Sequence, residues 1–104
     1  MIITTTESVP GKRATKILGV VFGSCVKTKH VGKDIRAGFR TLVGGEVKCY
    51  TEIMEEAKEI ATQRMIDRAK SLGADAVICT RYTTAMTMRG AAEIIVFGTA
   101  VKLE

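Results

Sequence analysis

The sequence predicts an α+β subunit: a mostly antiparallel sheet with one long and one short helix. Three observations carry this. Two long segments, Ala14–Thr28 and Ala91–Glu104, are dense in β-branched and apolar residues, the composition of buried strands. Between them, Glu52–Leu72 places apolar residues at helical rather than alternating spacing. Only one such long helical stripe is present, so a layer of strands covered by one principal helix is the expected architecture.

The first element, "IITTT" at Ile2–Thr6, is β-rich and short, and "SVPGK" ends it with a turn signal. In the next, "ATKILGVVFGSCVKT", one parity holds Ile17, Gly19, Val21, Gly23 and Cys25, the other Leu18, Val20, Phe22, Ser24 and Val26. Both sets are apolar or small, the pattern of a strand buried on two sides. Gly19 and Gly23 leave room for close approach to the backbone. From Gly32 to Gly44 the period changes: Ile35, Phe39, Leu42 and Val43 recur at helical spacing, with Lys33, Arg36 and Arg40 on a separate stripe. This is the short helix, closed by Gly44 and Gly45.

The long helix follows at Glu52–Leu72, with Thr51 as the expected N-cap. Ile53, Ala57, Ile60, Ala61, Met65, Ala69 and Leu72 share one face. Acidic Glu52, Glu55 and Glu56 lie near its positive end and basic Arg64, Arg68 and Lys70 towards its negative end. Gly73 supplies the left-handed cap. Two strands, Asp75–Met88 and Ala91–Glu104, close the chain around a hairpin turn at Arg89-Gly90. In the last strand, Ile94, Val96, Gly98 and Ala100 alternate with Ile95, Phe97, Thr99 and Val101, so both faces are again apolar. One long helix covers one face; other copies of the chain are expected to cover the second.

Composition bounds the function. The 104 residues fit one domain, 1–104, with 46% hydrophobic and 26% charged residues, which excludes wholesale disorder. No apolar window is long enough for a membrane span. "MIITTTESVPGKR" lacks the plan of a signal peptide, so the cytoplasm is the expected compartment. Three scattered cysteines, Cys25, Cys49 and Cys79, fit a reducing environment better than a disulfide framework. The net charge of +5 favours anions in general without naming one. With no tryptophan and two tyrosines, the chain lacks the stacking platforms of a nucleic-acid binder.

The segment "TLVGGEVKCYTEIMEEAKEIA" raises the question of a phosphate cradle, because two glycines precede a helix. It lacks the Lys-Ser/Thr of a P-loop, and Glu46 would repel a phosphate. A C-cap and tight turn that lets Tyr50 pack is the expected role. No G-x-S-x-G, Walker or Rossmann pattern is present, and the one histidine, His30, sits alone in "VKTKHVGKD". Asp75 is expected to turn the chain into its strand. No catalytic residue is therefore assigned, and no cofactor. Soft metals require thiolate and imidazole; Cys25, His30, Cys49 and Cys79 are the candidate ligands, though no two have the short spacing of a structural zinc site. Lys33, Arg36 and Arg40 are the candidate small-anion site.

The residues "VGGEVKCYTEIMEEAKEIATQRMIDRAKSLGADAVI", with "GVVFG" before them and "FGTAVKL" after, resemble the YbjQ-like family. Its members are small bacterial and archaeal proteins of unknown function labelled as heavy-metal-binding domains. The resemblance covers nearly the whole chain and implies a dodecin-like β-α-β-β subunit assembled into a ring, a homopentamer. Two departures stand out: Glu46 and Val47 replace an arginine and a serine expected after the glycine pair, and "ICTRY" places Cys79 and Arg81 in the strand. The function expected is that of a non-enzymatic homo-oligomeric binding or scaffold protein, the alternative a soft-metal or thiol-reactive protein, and the third a small-anion binder.

Overall fold

The computed structural model describes residues 1–28, 45–85 and 91–104, with side chains for 1–27, 51–85 and 93–104. Its elements are β1 (Ile2–Ile3), β2 (Ala14–Thr28), α1 (Gly45–Ser71), β3 (Ala76–Ala85) and β4 (Ala91–Leu103). They form one four-stranded sheet in the order β1-β3-β4-β2. The β2–β4 and β3–β4 pairs are antiparallel, and only the two-residue β1 runs parallel to β3. The short helix expected at Gly32–Gly44 and the turn at Arg89-Gly90 lie outside the described residues.

The helix α1 lies on one face of the sheet because its inward stripe is small. Ala57, Ala61, Met65 and Ala69, each four residues after the last, are fully buried. Opposite them on β2 is Gly23. A Cβ there would collide with the Ala61 carbonyl oxygen and stand 2.6 Å from the Met65 backbone nitrogen. Alanine on the helix and glycine on the strand thus set the layer spacing. Val21, Cys25, Val77, Ile94, Val96 and Ala100 complete the core, with Met54 and Ile60 packed at its margin. Leu72, expected in this stripe, is exposed, because the helix ends at Ser71 and the chain turns away.

That ending is a Schellman motif. Gly73 adopts φ +79°, its N–H donates to the Lys70 carbonyl at 2.9 Å, and the Ala74 N–H donates to Ala69 at 3.1 Å. Asp75 then fixes the entry into β3: its Oδ2 accepts the Leu103 N–H at 2.8 Å, as expected for a turning residue. The other end of α1 differs from expectation. The helix starts at Gly45, so Thr51 lies inside it and is not the N-cap. Glycine serves a helix start as well as a stop, and Glu46 falls in the first turn, where position relative to the dipole favours a carboxylate.

Of the three register shifts among the described strands, two decide which residues face the helix. In β2 the register shifts between Ile17 and Gly19, and Gly19 takes φ +136° with open space around it. Its glycine is required by conformation rather than close approach. The shift moves Leu18 inward against the core and leaves Ile17 outward, reversing the simple alternation. In β3 the register shifts between Ile78 and Arg81, with Cys79 at φ +54°. Past this point Thr80 is buried and Tyr82 and Thr84 lie on the helix side. The N-terminal segment follows the bulge. The Cys79 N–H donates to Thr6 and the Thr80 N–H to Thr4, both at 3.0 Å, so Thr4–Thr6 hydrogen-bond to β3 although the regular strand ends at Ile3.

Candidate functional site

Among the described residues, the sheet face opposite α1 is apolar and open. Ile17, Val20, Phe22 and Val26 project from β2 and Phe97 from β4, with exposures from 40% for Phe97 to 76% for Val20. Cross-strand register assembles them into rows: Val20 beside Thr99, Phe22 beside Phe97, Ser24 beside Ile95. Arg81 of β3 continues the phenylalanine row and donates from Nη1 to the Thr5 carbonyl at 2.9 Å. Large exposed apolar patches of this kind mark interaction surfaces.

On the helix side, α1 and the far half of β3 diverge and leave an open groove of about 390 Å³. It is lined by Thr51, Met54, Glu55, Lys58, Tyr82, Thr84 and Ile94. The Tyr82 and Thr62 hydroxyls stand 3.1 Å apart, which holds the ring over the groove. Sequence alternation does not reveal this site. Tyr82 reaches the helix side because of the bulge at Cys79.

Of the four candidate metal ligands, the two with described side chains, Cys25 and Cys79, are not brought together. Cys25 is buried in the core on β2, level with Ile94 of β4. Cys79 sits at the β3 bulge, level with the Phe97–Thr99 stretch of β4. These levels are roughly 13 Å apart along the sheet at about 3.3 Å per residue. Cys49 lies in the first turns of α1, its side chain outside the described set, and His30 is outside it altogether. Among the described residues no three His, Cys, Asp or Glu side chains gather. The two described thiols alone do not make a soft-metal centre, which takes three or four ligands. Lys33, Arg36 and Arg40 also lie outside the described residues. Among those described, no helix is long and apolar enough to cross a membrane.

A family model described as "Putative heavy-metal-binding", YbjQ, matches residues 1–104. The chain belongs to this family. It is 62% identical over 104 residues to a UPF0145 protein of Thermotoga petrophila, covering 100% of this chain and 98% of the relative. A UPF0145 protein of Thermus thermophilus is 57% identical, covering 100% and 91%. One from Archaeoglobus fulgidus is 57% identical over 103 residues, covering 99% and 95%. Among solved structures, a protein of unknown function of the DUF74 family from Pediococcus pentosaceus superimposes with a TM-score of 0.64 at 21% identity. That alignment covers 100% of this chain and 98% of the other and shows a shared fold. Members of the YbjQ family thus span both bacteria and archaea at full length.

Proposed function

We propose that the protein is a non-enzymatic homo-oligomeric binding or scaffold protein, whose copies bury one another's open sheet face. The observation that carries this is the continuous apolar surface of Ile17, Val20, Phe22, Val26 and Phe97 on a sheet whose only described helix lies on the other side. A closed ring buries the face on every copy, and five is the number implied by the family resemblance. The groove beside Tyr82 is the place for a small ligand, with apolar walls and the Glu55 and Lys58 charges at its margin.

The family description favours a second reading, soft-metal binding. Cys25 and Cys79 are apart in one chain, so a site that uses Cys79, which is partly exposed, would draw its further ligands from His30, Cys49 or other copies. Native mass spectrometry of the purified protein addresses both readings at once. A discrete oligomer free of metal is expected. Stoichiometric zinc, copper or cadmium, lost in Cys79→Ala, would replace the first reading by the second.

A further inference from the structure

The flank of α1 runs along the free edge of β2 and closes it. Arg64 Nη1 donates to the Ser24 carbonyl at 2.7 Å and Arg68 Nη1 to the Phe22 carbonyl at 2.6 Å. Both carbonyls are thus on the outer side of β2, which is the last described strand of the sheet. The geometry follows from two repeats that nearly match. Four helical residues rise about 6 Å, and two strand residues about 6.8 Å, so arginines four apart meet carbonyls two apart. One turn pair earlier, Glu56 holds Lys27 at 3.3 Å. The Arg68 guanidinium also lies over the Phe22 ring, 4.4 Å from its centroid.

We propose that Arg64 and Arg68 bar the β2 edge to strand addition by a second copy of the chain. A 15-residue edge strand rich in valine and glycine is otherwise a template for pairing with its like. A strand added there would need the Phe22 and Ser24 carbonyls as acceptors, and both are engaged by charged donors that the incoming backbone cannot easily displace. The inference concerns the edge alone and stands whether or not the sheet face forms a ring.

Two measurements test it in the full-length protein. Amide hydrogen exchange should be fast at Phe22 and Ser24, whose N–H groups face outward, and slow at Val21 and Gly23; slow exchange at all four would show the edge already paired and overturn the proposal. A labelled peptide spanning Gly19–Lys27 should bind wild type weakly. It should bind the Arg64→Met/Arg68→Met variant at least about tenfold more tightly, since methionine keeps the helix propensity and the apolar stem while removing the donors. Adding Ser24→Pro, which removes an outward N–H only, should abolish the gain. Should the double variant fail to fold, Arg64→Met alone is read in the same way, since Ser24 carries no ring stack. Equal peptide affinity in wild type and a folded variant would sink the proposal.

Discussion

Phe22 and Phe97 stand directly opposite one another on β2 and β4, on the sheet face away from α1, and both are about half exposed. An aromatic cross-strand pair is normally a source of sheet stability through mutual packing. Here it is also the centre of an apolar surface that, apart from the Arg68 guanidinium over the Phe22 ring, no described residue covers.

Substituting Phe97→Asp should therefore break association. Each buried large apolar side chain contributes roughly 1.5–3 kcal/mol, and a charge at the centre of such an interface costs more than the loss alone. Size-exclusion chromatography with light scattering should show a smaller, poorly folded or aggregating species. A variant with unchanged mass would place the interface elsewhere.

Among the described glycines, Gly23→Ala should be the most damaging change. The added carbon has the Ala61 and Met65 backbone in its way, and backbone cannot rotate aside as a side chain can. A loss of about 1–3 kcal/mol or more is expected in urea unfolding. Gly19→Ala meets no atoms and should cost only the strain of its positive φ, about 1 kcal/mol. Equal losses at both sites would contradict the layer spacing described above.

Cys79 is a non-glycine residue in the left-handed region, which carries roughly 1–2 kcal/mol of strain. Cys79→Gly should leave thermal stability equal or slightly raised, the relief offset in part by unfolded-state entropy. Cys79→Val adds β-branching at that φ and should lower the melting temperature clearly. The order Gly, Cys, Val is the readout, and a valine variant as stable as wild type would refute the bulge geometry.

The Arg13–Glu104 pair, at 2.6 Å but with both side chains well exposed, should matter little: Arg13→Ala is expected to change stability by less than about 1 kcal/mol. Asp75→Ala removes the acceptor of the Leu103 N–H and should cost about 1 kcal/mol. Chemical denaturation of the two variants side by side checks the contrast.

The fold class was legible in the sequence wherever local chemistry and tertiary role agree. Ala57, Ala61, Met65 and Ala69 mark the inward helix face by spacing, and Gly73 marks its end by conformation. The apolar residues on both parities of β2 pointed to a face left over by one helix. What periodicity does not contain is a bulge. Ile17 and Leu18 exchange faces because of Gly19, and Tyr82 reaches the groove because of Cys79; each shift inserts one residue into a period-two pattern. The start of α1 is not legible because Thr51 carries a capping signal although it lies inside the helix, which already includes Gly45. The edge contacts of Arg64 and Arg68 were read only as charges favourable to the helix end, since their carbonyl partners lie some 40 residues earlier in the chain.

Sedimentation equilibrium at micromolar concentration tests the buried sheet face most directly. A single closed homo-oligomer is expected, five copies being the number the family resemblance implies, with no monomer detectable until the chain unfolds. A stable, well-folded monomer under these conditions would contradict it, whatever ligand the protein is found to hold.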